Sequence, residues 1–186
     1  GMTCTDGVYV NDRRLDSGDC SGPKSARSVL MHPDVDAAVF ETARGGLLRE
    51  GLAFDRCDVA VVTNIGEGDH LGLNYITTVE DLAVLKRVIV QNVAPDGMAV
   101  LNAADPIVAK MAENCPGAVT FFAADRHHPV MATHNAQGKR VVYIDGHSIV
   151  CAEGGDVVQR IPLGDVPLTR KGTIRFQVDN AMASAS

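Results

Sequence analysis

Val59-Ala60-Val61-Val62-Thr63-Asn64-Ile65-Gly66 decides the fold. Four apolar residues of strand-forming type run straight into a polar turn and then into a glycine-rich loop over 67–74. An apolar run of strand length that does not alternate with polar residues suits a strand covered on both faces. Beyond the loop, Thr78-Val79-Glu80-Asp81 reads as a helix start with early acids, and Leu82, Leu85, Ile89 and Val93 recur at helical spacing. Asp96-Gly97 is expected to end that helix and open a strand over 98–101. Residues 106–114, led by Pro106, read as a short helix, and 118–122 as a further strand. Upstream, residues 35–40 (VDAAVF) form another apolar run that stops at Glu41-Thr42. Strand and helix alternating from 35 to 123 predict an α/β fold, a mostly parallel sheet flanked by helices.

The flanks read differently. Thr3, Thr5, Val8 and Val10 are strand formers around an Asp6-Gly7 turn, and residues 11–23 read as a polar loop. Pro23 suits the first turn of a helix with Ala26, Val29 and Leu30 as its apolar face. Residues 43–51, around Arg44-Gly45-Gly46, read as a flexible turn. After residue 125, strands are expected at 130–134, 140–144, 148–152 and 157–161, with Gln137-Gly138, Asp145-Gly146 and Gly154-Gly155-Asp156 between them. That spacing predicts an antiparallel β extension. Residues 174–186 carry helix formers. The expected organisation is one partial domain over 1–186: an α/β part at 1–125, a β-rich extension at 126–167 and the start of a helix at 174–186.

Composition narrows the class. With 186 residues, 46% hydrophobic and 22% charged, the chain buries a core, and one domain is the natural size. A net charge of -6 argues against nucleic acid as a partner. Five scattered cysteines without a C-x-x-C pair point to a reducing compartment rather than a disulfide framework. With no leader pattern and no membrane-length apolar run, the expectation is a cytoplasmic protein.

Several residues carry potential chemistry. Glu41 follows an apolar strand, where open α/β sheets bind ligands; it reads as a Mg²⁺ ligand or as a solvated strand-end acid. His70, in the Gly-rich loop, reads as a metal or phosphate contact or as a loop histidine bonded to backbone. Lys86 stands mid-helix among Val84, Leu85, Val88 and Ile89, either partly buried for a reason or simply solvated. Thr42, Arg44 and Gly45 are candidate substrate contacts, because an arginine and exposed amides bind carboxylates and phosphates; a plain turn is the alternative. Asn102 and Asp105 end the third strand and either meet a nucleotide or, for Asp105, cap the next helix. Residues 17–25 (SGDCSGPKS) superficially resemble a phosphate-binding loop. The pattern G-x-x-x-x-G-K-S/T fails because Pro23 precedes Lys24 and has no N–H to offer a phosphate.

Taken in order, GMTCTDGVYV (1–10), GDCSGP (18–23) with SAR (25–27), ETARGGLLREG (41–51), CDVAVVTNI (57–65), GDHLG (68–72), LNAADP (101–106) and FQVDNA (176–181) resemble the cyanophycin synthetase family across nearly the whole chain. Residues 126–167 match loosely. The resemblance implies a Mur-ligase-type central domain. Such enzymes transfer the γ-phosphate of ATP to a carboxylate; an amine then attacks the acyl phosphate and gives an amide, ADP and phosphate. In this family the Mur-like half adds arginine to the aspartate β-carboxylate of a peptide polymer, and a separate half adds aspartate. By position, Glu41 matches a Mg²⁺ ligand and His70 the ligand of a second Mg²⁺, while Lys86 falls near a lysine that is carbamylated in several Mur ligases. Asn102 and Asn180 match positions near the adenine and ribose. Ala104 departs from the family's Asn-Ala-Asp-Asp. The family's glycine-rich loop lies upstream of the position of Gly1, so the 186 residues alone are expected to be inactive and the parent enzyme a homo-oligomer. A folate or muramyl-peptide ligase, or a non-catalytic nucleotide-binding scaffold, are the alternatives.

Overall fold

The structure is a computed structural model that describes residues 1–66, 72 and 75–186. The chain divides into two compact units, residues 1–55 and residues 56–186.

In the first unit, β1 (Met2–Cys4) and β2 (Gly7–Val10) form a hairpin around Thr5-Asp6, and β3 (Arg13–Ser17) extends it. β4 (Val39–Phe40) pairs with β1 in parallel, giving the order β3-β2-β1-β4. The apolar run at 35–40 therefore contributes only its last two residues to the sheet. β3 replaces part of the loop expected at 11–23. All five of its residues are exposed, so no hydrophobic alternation betrays it, and its pairing with β2 alone makes it a strand.

Helix α1 (Pro23–Leu30) begins at Pro23 and buries Ala26 and Val29. α2 (Arg44–Glu50) stands where a flexible turn was expected. Two glycines lower its intrinsic propensity, yet Gly46 is buried against the start of α1. A Cβ there would lie 2.9 Å from Pro23 Cδ and 3.1 Å from Gly22 Cα. Close approach of the two helices, which only glycine permits at this point, outweighs the local preference.

The second unit holds a six-stranded sheet in the order β10-β9-β8-β7-β6-β5. Strands β5 (Cys57–Val62), β6 (Val93–Asn102), β7 (Ala118–Phe122) and β8 (Arg140–Asp145) are parallel; β9 (Ser148–Glu153) and β10 (Asp156–Pro162) return antiparallel. The expected class, α/β with a mostly parallel sheet and an antiparallel β extension near the C-terminal end, is what the chain adopts. α3 (Val79–Gln91) is locked at its start by a capping box: the Thr78 hydroxyl accepts from Asp81 N, while the Asp81 carboxylate accepts from Thr78 N. This helix stops before Val93, which already belongs to β6. Asp96-Gly97 therefore lies inside a distorted stretch of strand instead of at a helix end, and the register against β5 jumps between Cys57 and Val59.

Helix α4 (Pro106–Lys110) continues into a tighter turn at Met111–Asn114. α5 (Pro129–Ala136) replaces the strand expected at 130–134. Proline at the first helical position and burial of Met131 and His134, three apart on one side, favour a helix over the strand-like reading of Val130 and Thr133. Leu82, Val90, Val108, Met111 and Met131 join Leu101, Phe121 and Val141 in one apolar cluster. α6 (Arg175–Ala185) packs Val178, Ala181 and Met182 with Val100, Phe122 and Val142 in a second. Alternate residues of β6, β7 and β8 point into the two clusters, so the helices sit on both faces of the sheet. Gly154 and Gly155, at φ 60° and 95°, make the two-residue turn from β9 to β10, a geometry that needs positive φ at both positions.

Candidate functional site

Two groups of candidate residues gather at strand ends, one in each unit. In residues 1–55, Glu41 leaves the carboxyl end of β4, and its backbone N–H donates to Thr3 O at 2.9 Å. Its carboxylate is exposed but not loose. Thr5 N donates to Oε2 at 2.7 Å, and Thr5 Oγ1 lies 2.9 Å from Oε1 and 3.0 Å from Oε2. A carboxylate offers about four acceptor sites, so this grip leaves room for a cation at oxygen. Both oxygen chemistry and exposure fit Mg²⁺, which binds through one or two carboxylates and keeps several waters.

The motif at 18–23 is folded against the motif at 41–51. Ala43 N donates to Ser21 O at 3.1 Å, and Cys20 N to Cys4 O at 3.1 Å. Ser21, buried, donates from its N (3.1 Å) and its hydroxyl to Asp19 Oδ1. These bonds, chiefly the hydroxyl's, hold the Asp19 carboxyl below its ordinary range, with Arg49 adding to the effect. Thr42 is half-buried and lines, with Glu41, Pro23, Leu47 and Phe54, a small hollow. Arg44 and Gly45 occupy the first turn of α2, and a Cβ on Gly45 would meet only the Arg49 guanidinium, at 3.1 Å.

In residues 56–186, Thr63, Asn102 and the loop after Phe122 share the carboxyl edge of the parallel strands, where ligands bind in open α/β sheets. Asn102 Nδ2 donates to Thr63 O at 2.8 Å, and its Oδ1 accepts from Ala104 N at 2.9 Å. Asp105 caps α4: Oδ1 accepts from Ile107 N (2.9 Å) and Val108 N (3.1 Å). Its Oδ2 accepts from Ile65 N at 2.9 Å. Both side chains therefore pin the segment after β5 to the end of β6, and the cap reading of Asp105 is the one its geometry satisfies. Lys86 is half-buried in the middle of α3. Asn180 is exposed on α6, with Nδ2 donating to Gln177 Oε1 at 3.2 Å. Beside it, burial raises the Asp179 carboxyl above its ordinary value while Arg175 opposes. His70 lies outside the described residues.

Reading the sequence alone missed Thr5. It sits 36 residues from Glu41, and only the parallel pairing of β4 with β1 brings the hairpin tip to the carboxylate.

The family described as Mur ligase middle domain matches residues 1–186. The chain is 43% identical over 186 residues to the cyanophycin synthetase of Geminocystis herdmanii, a match covering 100% of this chain and 21% of that protein. To the cyanophycin synthetase of a Synechocystis species it is 43% identical over 185 residues, covering 99% of this chain and 21% of that protein. A Nostoc relative of the same name is 42% identical over 187 residues, covering 100% of this chain and 20% of that protein. The chain spans about a fifth of the length of these relatives. Among the described residues, no helix is long and apolar enough to cross a membrane.

Proposed function

The chain belongs to the Mur ligase middle-domain family, and from that premise we propose that it is part of an ATP-dependent ligase that activates a carboxylate as an acyl phosphate and joins it to an amine. The substrates proposed are those named for its relatives' family: arginine, added to the aspartate β-carboxylate of a peptide polymer. The observation that carries this reading is Glu41, an exposed carboxylate fixed at the carboxyl end of a parallel strand inside the ETARGGLLREG run. Within that reading the chain is a partial central domain, with an α/β part at 1–125, a β-rich extension at 126–167 and a helix from 174. It acts in the cytoplasm as part of a homo-oligomer, without nucleic acid or membrane.

Mg²⁺, when bound, offsets the charge of the phosphates during transfer. Glu41 would hold one ion and His70 a second. Thr42, Arg44 and Gly45, adjoining Glu41, would bind the acidic substrate through the guanidinium and backbone amides. Asn102 and Asp105 shape the rim that receives the nucleotide, and Asn180 offers an exposed amide to it. Lys86 supplies a half-buried amine, cationic when unmodified and an anionic carbamate when carbamylated. No G-x-x-x-x-G-K-S/T run occurs in the 186 residues, so these residues by themselves are expected not to hydrolyse ATP at a measurable rate.

The test uses the gene's full-length product with ATP, Mg²⁺, arginine, aspartate and a primer, following the two incorporations separately. Glu41→Ala and His70→Ala each abolish arginine addition, by at least about 100-fold for loss of a charge-stabilising group, and keep aspartate addition on an arginylated primer. Survival of arginine addition in both variants rejects the site, and absence of arginine addition in the wild type rejects the substrate.

A further inference from the structure

Thr5 belongs to none of the groups assigned so far, yet it makes two contacts with the carboxylate on which the proposed function rests. It closes the β1–β2 hairpin, and its N–H and hydroxyl both point at Glu41, at 2.7 Å and at 2.9 and 3.0 Å. The backbone N–H takes Oε2; the hydroxyl proton bridges the two oxygens. A glutamate side chain has three rotatable bonds before its carboxylate, and an exposed one ordinarily samples many orientations. Here two donors from one residue fix it in a single orientation.

The consequence is specific. Oε2 meets both the N–H and the hydroxyl, while Oε1 meets the hydroxyl alone, so Oε1 keeps more of its acceptor capacity and the carboxylate presents itself to a cation chiefly through that atom. Mg²⁺, small and reluctant to shed its waters, takes carboxylates in that manner, whereas Ca²⁺ readily takes both oxygens. We propose that Thr5 is a positioning residue for Glu41, orienting its carboxylate as a one-oxygen ligand for Mg²⁺. The proposal rests on the reading of Glu41 as a cation ligand. Nearby, on β1, buried Thr3 Oγ1 has no hydrogen-bond partner; it faces the interior and takes no part.

The test compares Thr5→Val, Thr5→Ser and Glu41→Gln in the full-length product. Mn²⁺ serves as the probe ion, and its binding in the presence of a non-hydrolysable ATP analogue is read from the free-ion paramagnetic resonance signal. The Mg²⁺ dependence of arginine addition is measured alongside. Removing a group that orients a metal ligand weakens metal affinity by about 10-fold at the lower end of the usual range. Thr5→Val is expected to weaken Mn²⁺ binding and raise the Mg²⁺ requirement by that factor, with KM for arginine unchanged, and Thr5→Ser to restore both. If Thr5→Val leaves Mn²⁺ binding unchanged while Glu41→Gln abolishes it, the role of Thr5 is rejected and Glu41 stands. If Glu41→Gln also leaves it unchanged, the cation reading itself falls. Should Thr5→Val fail to fold, Thr5→Ala takes its place with the same expectation. A Thr5→Ser variant as impaired as Thr5→Val rejects the hydroxyl's part.

Discussion

In residues 56–186, strands β6 to β9 bury side chain after side chain, Ala99-Val100-Leu101 and Val150-Cys151-Ala152 among them, because helices cover both faces of the sheet. Residues 1–55 carry a four-stranded sheet with one fully exposed strand, and their buried apolar side chains are Val8, Val10, Cys20, Pro23, Ala26, Val29 and Leu47. Yet the smaller unit holds the motif runs 1–10, 18–23 and 41–51. Its parts are tied by polar bonds: Thr5 to Glu41, Ser21 to Asp19, Ala43 to Ser21. Apolar burial scales with area, so the larger unit is the stability reservoir and the smaller one opens at lower free energy.

The contrast is most exposed to a core deletion in each unit. Phe122→Ala, at a side chain 1% exposed, is expected to destabilise residues 56–186 by about 3–5 kcal/mol. Val29→Ala, 0% exposed in residues 1–55, is expected to cost about 2 kcal/mol. Denaturant midpoints with residue-resolved hydrogen exchange read both; an equal loss would remove the distinction.

A smaller effect sharpens the account of the smaller unit. Gly46→Ala forces a Cβ to within 2.9 Å of Pro23 and is expected to cost about 1–3 kcal/mol. Gly45→Ala meets only the flexible end of Arg49 and is expected to be neutral or to gain up to about 1 kcal/mol from helix propensity. Thermal melts of the two variants decide whether helix approach or helix propensity governs α2; equal behaviour means propensity does.

The smallest effect is in pH. His134 packs edge-on against Phe121, its ring nitrogen Nε2 2.8 Å from the Val119 carbonyl, so Nε2 carries the proton. Burial holds its pKa below the ordinary 6.5, with the Val119 bond opposing. The unfolded chain therefore protonates first, and stability of residues 56–186 falls as pH drops below 6.5 toward the folded value, staying level above it. Asp19 in the other unit is shifted down, so its contribution is present above 3.8 and lost as pH falls below that. Melting temperatures between pH 8 and 5 (buffer range about one unit either side of the His window) should slope in the wild type and flatten in His134→Leu; an unchanged slope assigns the dependence to another group.

Much of the larger unit was legible before any coordinates. The apolar run 59–62, the helix start with early acids at 78–81, and strand 118–122 are local signals, each carried by neighbouring residues. So was the placement of Glu41 and Asn102 at strand ends. The failures share one cause. β3 has no apolar face, α2 contains two glycines, and α5 contains β-branched residues, so each owes its state to packing or pairing with another element and not to its own local pattern.

The sequence by itself determined the class of fold, the family, and which side chains are chemically able to hold a cation or meet a phosphate, because strand length, helix period and motif order are written along the chain. The tertiary structure alone decided what those side chains face. Asn102 and Asp105 turn out to fasten β5 to β6, and Thr5 turns out to hold Glu41. Hydrogen-bond partners are fixed by sheet pairing across tens of residues, and no pattern of nearest neighbours encodes that distance.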